Sequence, residues 1–299
     1  MSSQAPKNGG IDHARHFSLL FISLLFVFSA SAQQNEQQRI IELLNAPAKI
    51  IREGPVVSFT GLLSPDNASR LITELNASKT QVLRVDSGGG VISSAIDIAQ
   101  QIKALQLDIE VSSLCASSCA NYLFVAGQEK RILPGAVVLW HGGADQKDFR
   151  EFRECRREVS SFSGQKRDTS DESLAASRHD ALRERALYAE LGVSSYLTRA
   201  GQEPKFIGRN VTHSIEDMAR LGLKSVTAEE DYGKPSFCDR IHQERPGLQL
   251  VCLAITPDMI AYERARVAVG EKCGPDGTLH IRTERSLPAD TPSPRTSGP

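Results

Sequence analysis

Two serines, Ser117 and Ser118, stand between Cys115 and Cys119 in the stretch SLCASSCANYLFVAGQEKRILPGAVVLWHGG. Near its end His141 closes a β-like segment. A hydroxyl becomes a useful nucleophile when a nearby base takes its proton, and imidazole is the commonest such base. At a helix start the hydroxyl also faces the positive end of the helix dipole, which favours its alkoxide. A lone serine at such a place is ordinarily an N-cap and nothing more. Upstream, Asp86 to Gly90 reads DSGGG. A glycine run between a strand and a helix turns sharply and exposes N–H groups that can hold a phosphate or the oxyanion of an acyl-transfer intermediate. The run lacks the GxGxxG and P-loop spacings, and alone it reads as a tight turn. Its value lies in the order of parts: a glycine turn, a serine pair and a histidine, each at a β/α junction.

The elements that must position these groups are legible from period and punctuation. Val56 to Leu63 is β-branched and strand-like. Ser64 and Pro65 then supply an N-cap and a first helical residue. TQVLRVDS alternates as a strand does. After the glycines, Val91, Ala95, Ile98, Ile102 and Leu105 recur at helical spacing. LDIEVSSL returns to a strand, SCANYLFVAG is a compact apolar helix closed by Gly127, and KRILPGAVVLWHG gives two short strands about a Pro-Gly turn. The order predicts an α/β layered fold with a largely parallel sheet.

Residues 144–193 change character. DFREFRECRREV reads as a charged helix and SSFSGQKRDTSDESLAASRHD as a polar joint. ALRERALYAELGV resumes as helix. This insertion is either a solvated helix and loop, or an oligomerisation or lid element over the site. SIEDMARLGLKSV is a short helix capped by Ser214. Residues 231–281 read as a small cysteine-containing appendage, and 282–299 as a disordered tail.

Residues 1–32 have the basic, apolar and small-residue order of a secretory signal peptide. The apolar run FSLLFISLLFVF is short for a membrane span, which needs roughly 20 residues. Uncleaved, it would anchor the chain near a membrane. Residues 33–53 read as a polar linker with a helical stretch around RIIELLNAPAKII. The formal net charge is −1 and aromatic residues make up 6%, so nothing indicates a nucleic-acid partner. The six cysteines, at 115, 119, 155, 238, 252 and 273, permit 15 pairings. Cys115 and Cys119 could form a disulfide if a helix starts between them, or be two small buried apolar residues. No CxxC or HExxH motif is present, so no metal and no cofactor is expected.

LRVDSGGGVISSAIDIAQQIK and CASSCANYLFVAGQEKRILPGAVVLWH together resemble the ClpP and signal-peptide-peptidase group of serine peptidases, which share the ClpP/crotonase fold of β-β-α units. The first stretch is similar to the family's INSPGG turn, with Gly88 where proline is common. The second is similar to its AASMGAFLLTAG helix, basic turn and base histidine. The CxSxC signature looks like that of periplasmic ClpP-like proteins. The resemblance covers roughly residues 56–226 and implies a domain over 54–230.

The resemblance makes His141 the general base, and Gly89, Gly90 and Cys119 the oxyanion donors. Alignment on FVAG makes Ser118 the nucleophile, and this alignment is preferred. Alignment on the two cysteines favours Ser117. Adjacent helical residues point about 100° apart, so only one of the two can face His141. The third triad position falls on Asn210, which can orient an imidazole but cannot stabilise its charge. Asp86 and Glu203 are substitutes for it.

Three functions follow as expectations. The first is an exported, periplasmic or secreted, serine hydrolase, most simply a peptidase acting on a peptide or protein. The alternative is a catalytically silent ClpP-like module that binds a peptide or protein partner. Acyl-CoA chemistry is a weaker third. A homo-oligomer is implied by the resemblance alone.

Overall fold

Alternating β-branched residues pair the first two strands. β1 (Lys49–Glu53) runs antiparallel to β2 (Val56–Thr60) through a turn at Gly54, where φ is +60°. The helix expected around RIIELLNAPAKII therefore does not reach Lys49–Ile51. There Ile50 pairs with Phe59 across the hairpin, and pairing overrides local helical period. The computed structural model describes residues 48–77, 79–144, 171–202, 210–261, 271–273 and 279–281. The expected signal peptide, DFREFRECRREV, Cys155, Glu203 and the C-terminal tail lie outside them.

α1 (Pro65–Asn76) starts as its sequence requires, with Ser64 Oγ accepting the Asn67 N–H at 3.3 Å. β3 (Val82–Ser87) and α2 (Ile92–Ala104) follow, then the long β4 (Asp108–Ala116). A short helix at Cys119–Phe124 leads to β5 (Lys130–Ile132) and β6 (Val137–Leu139). Within the insertion lies α3 (Asp171–Leu191), and beyond it come α4 (Tyr196–Arg199), β7 (Asn210–Thr212), α5 (Ile215–Arg220) and β8 (Val226–Thr227). α6 (Pro235–Glu244), β9 (Leu250–Cys252), β10 (Glu271–Cys273) and β11 (Leu279–Ile281) complete the described elements.

The result is a mixed α/β fold whose main sheet has the order β1-β2-β3-β4-β5-β8. Every pair in it except β1–β2 is parallel. β4 serves two partners on one edge: Ile109–Val111 pair with β5, and Leu114–Ala116 pair with β6. Near the site β3 and β4 slip register between Val85 and Ser87. Asp86 Oδ1 fills the slip by accepting the Leu114 N–H at 3.2 Å.

α3 changes the reading of the insertion. Asp171–Asp180, expected in a polar joint, is helical and continuous with the rest of α3. Ala181, Glu184, Leu187 and Tyr188 are buried at helical spacing. The segment after residue 231 also joins the main core, with Tyr232, Phe237, Ile241, Leu250 and Leu253 in the same apolar cluster. Cys238 and Cys252 are bonded across α6 and β9, with Cα atoms 5.9 Å apart. Tyr232 adds a polar tie: its phenol oxygen accepts the Val138 N–H at 2.8 Å and sits 3.1 Å from Thr212 Oγ1. No helix among the described residues is long and apolar enough to cross a membrane.

Candidate active site

The glycine turn and the serine pair meet at the carboxyl edge of the parallel strands, and His141 lies two residues beyond Leu139, which pairs there with Ala116. Ala116 is in register with Leu139, and the Ser117 N–H donates to Leu139 O at 3.0 Å. The serines therefore leave β4 beside the point where β6 runs on through Trp140 to His141. The turn at Gly89 is pressed against them. A Cβ on Gly89 would lie 2.7 Å from Ala116 O, 2.8 Å from Ser117 Cβ and 2.9 Å from Ser118 N, and its φ is +97°. Only glycine permits that approach. Gly90 packs as closely on Leu63, through Leu63 N–H to Gly89 O (2.9 Å) and Val91 N–H to Leu63 O (2.8 Å). Those two bonds flank Gly90 and leave its own N–H and C=O facing away from Leu63. In open α/β sheets this carboxyl edge is where ligands bind.

The two serines differ in every respect that matters for attack. Ser118 is 3% exposed, and its hydroxyl donates to Gly90 O at 2.8 Å. Ser117 is half-buried, with φ of +55°. Among the described residues its hydroxyl has no hydrogen-bond partner. A left-handed φ at a residue with a side chain costs about 1–3 kcal/mol and persists only where its surroundings enforce it. Here the enforcement is covalent: Cys115 and Cys119 form a disulfide across the serines, with Cα atoms 5.2 Å apart. The pairing that the sequence left open is thus present, and both cysteines are fully buried.

The helix after the serines is not an ordinary one. Asn121 N–H to Ser117 O (2.8 Å) closes its first turn, and Cys119–Phe124 continues as a π-helix. The amides of Ser118, Cys119 and Ala120 precede that first bond, so no intrahelical acceptor reaches them. A π turn holds one residue more than an α turn and is frequent at functional sites. Of the expected oxyanion donors, the Gly89 N–H already donates to Ser87 Oγ at 3.1 Å.

His141 is half-buried. Trp140 and Val211 exchange both backbone hydrogen bonds, at 2.8 and 2.9 Å, as an antiparallel bridge. The bridge is isolated: His141 follows Trp140 on one strand, and Asn210 precedes Val211 on the other. Asn210 opens β7. The alternative carboxylate Asp86 is engaged at the β3–β4 slip.

Sequence reasoning missed a set of groups behind the serines. Asn121 Nδ2 donates to Gly142 O at 2.6 Å, and Tyr188 OH donates to Asn121 O at 2.9 Å. Glu184 is fully buried and accepts from Tyr122 OH at 2.5 Å and from Ala144 N–H at 2.7 Å. Burial, reinforced by the Glu184 charge, holds the Tyr122 phenol well above its ordinary 10.0, so it remains a donor. The signal for Glu184 was a carboxylate at helical spacing among Ala181, Leu187 and Tyr188. His213, fully buried, was also missed. Its Nδ1 lies 2.9 Å from Leu253 O and its Nε2 3.3 Å from Leu197 O, and its ring stacks on Trp140 at 5.3 Å.

Among the described residues no group of three or more His, Cys, Asp or Glu could hold a metal ion. No protein-family model matches the chain, and no curated protein matches it.

Proposed function

We propose that the chain is an exported serine hydrolase, most simply a peptidase of ClpP/crotonase type, with Ser117 as nucleophile and His141 as base. One observation carries this reading: Ser117 holds a left-handed turn at the end of β4, beside the strand that leads to His141, while the Ser118 hydroxyl is committed to Gly90 O. A nucleophile on a strained strand-to-helix turn presents its oxygen above the sheet edge. The π-helix supports Ser117 over Ser118. Counting back from Gly127 along a regular helix reaches Ser118, but the extra residue held in the π turn moves the family's serine position one place earlier. The cysteine-based and FVAG-based alignments then agree.

In the proposed reaction His141 takes the Ser117 proton as Oγ attacks a carbonyl carbon. The oxyanion is held by the amides of Ser118 and Gly90, in place of Cys119 and Gly89. Collapse expels the amine or alcohol, which receives the proton from the imidazolium. Water, deprotonated by His141, then cleaves the acyl-serine ester and releases the acid. Asn210 orients the imidazole.

The substrate class is a peptide or protein. The two disulfides support an oxidising compartment, periplasmic or extracellular. A test uses an activated ester such as p-nitrophenyl acetate. A burst of one p-nitrophenol per chain, absent from Ser117→Ala, is expected. The second reading, a catalytically silent peptide-binding module in the same compartment, is favoured by the amide at Asn210 where a triad places a carboxylate. It predicts no burst from folded wild-type protein.

A further inference from the structure

We infer that Glu184 is a positioning residue for the Ser117–His141 pair, acting through the loop that leaves the histidine; the inference rests on the hydrolase reading. The carboxylate bridges two pieces of backbone that diverge from the two reacting groups. On one side it accepts from Tyr122 OH, on the π-helix that starts two residues after Ser117. On the other it accepts from the N–H of Ala144, three residues beyond His141. The loop is shaped to let it in. A Cβ on Gly143 would lie 2.4 Å from Glu184 Oε2 and 2.7 Å from Oε1, so no other residue fits there without displacing the carboxylate.

A second clamp repeats the pattern one residue away. Asn121 Nδ2 holds Gly142 O, and Tyr188, one turn along α3 from Glu184, donates to Asn121 O. α3 thus presses Glu184 and Tyr188 onto consecutive residues of the π-helix, Tyr122 and Asn121, while Asn121 holds Gly142 and Glu184 holds Ala144 of the loop. A fully buried carboxylate is costly to desolvate unless its lone pairs are filled. This one is filled by donors from both halves of the site, so moving either half breaks a charge-assisted bond. The relative placement of hydroxyl and imidazole is therefore set from α3, a helix that contributes no reacting group.

The test compares wild type with Glu184→Gln and Tyr122→Phe. The second deletes one hydroxyl and keeps the ring, so it covers the case in which the first fails to fold. Each folded variant is treated with a fluorophosphonate well below its melting temperature, and the binding constant and maximal labelling rate are separated. The maximal rate is expected to fall about 10- to 100-fold, the scale of a reacting group displaced by about 1 Å, with the binding constant unchanged. In parallel the Ala144 amide is expected to lose hydrogen-exchange protection and the His141 ring-proton resonances to shift. Labelling within twofold of wild type with those signals unmoved would overturn the inference. If wild type itself is not labelled, the hydrolase reading fails. The exchange and ring-proton readings then decide alone whether Glu184 sets the position of His141.

Discussion

The Ser118 hydroxyl donates to the carbonyl of Gly90 at 2.8 Å. That bond ties the start of the π-helix to the glycine turn. Ser117, its neighbour, keeps a hydroxyl with no hydrogen-bond partner among the described residues and a φ of +55°. The adjacent pair thus differs in burial and in hydrogen bonding, which is why Ser117 is the proposed nucleophile.

Asn210 and His141 flank the isolated Trp140–Val211 bridge, and Asn210 is the proposed partner of the base. An amide orients an imidazole but leaves the imidazolium without a counter-charge. Asn210→Asp is therefore expected to raise the fluorophosphonate labelling rate, and Asn210→Ala to lower it about tenfold or more. Equal rates for all three proteins would show that this position does not touch the base.

The two disulfides should separate in effect. Cys238–Cys252 closes a chain segment with a sequence separation of 14, against 4 for Cys115–Cys119. Loop entropy assigns about 3 kcal/mol to the longer and about 2 kcal/mol to the shorter. Replacing Cys238 and Cys252 by alanine should cost more stability in denaturant titration. Replacing Cys115 and Cys119 should cost more labelling, because it releases the enforced turn at Ser117.

Gly89 and Gly135 both have positive φ, +97° and +73°. A Cβ at Gly135 meets nothing within 4 Å, whereas at Gly89 it meets the backbone of Ala116 and Ser118 and the Cβ of Ser117. Gly135→Ala should lower the unfolding free energy by about 1 kcal/mol through backbone strain and leave labelling intact. Gly89→Ala should cost more and abolish labelling of the protein that still folds. Unimpaired labelling of Gly89→Ala would contradict the contact.

His213 carries a pH signature. Burial lowers its value below the ordinary 6.5, against the carbonyls of Leu253 and Leu197 and the charge of Asp217, which raise it. The unfolded chain therefore takes up this proton first as pH falls. Stability from this group is complete above pH 6.5 and declines as pH drops from 6.5 toward the lower folded value, with a slope of at most about 1.4 kcal/mol per pH unit. Melting curves between pH 7.5 and 5 should show that slope in wild type and its loss in His213→Gln. The same slope in both would assign it to other groups.

Much of the frame was legible because it rests on local signals. Ser64 and Ser214 cap the helices that their positions predict, and the alternation in VLRVDS yields β3. The contact between the glycine turn and the serine pair followed from the β/α order. What local pattern could not carry was register and helix type. Nothing in CANYLF announces a π turn, and the alignment on FVAG that favours Ser118 takes no account of one. The strand at Lys49–Glu53 depends on a partner that local period does not show. Glu184 was hidden because its two donors, Tyr122 OH and Ala144 N–H, lie 62 and 40 residues away along the chain.

The central claim concerns one oxygen atom. After fluorophosphonate treatment of the folded, disulfide-intact protein, tandem mass spectrometry of the peptide spanning Ser113 to Arg131 locates the phosphonyl group. The account predicts a single adduct on Ser117. An adduct on Ser118, or folded protein that takes up no label at neutral pH, would contradict it.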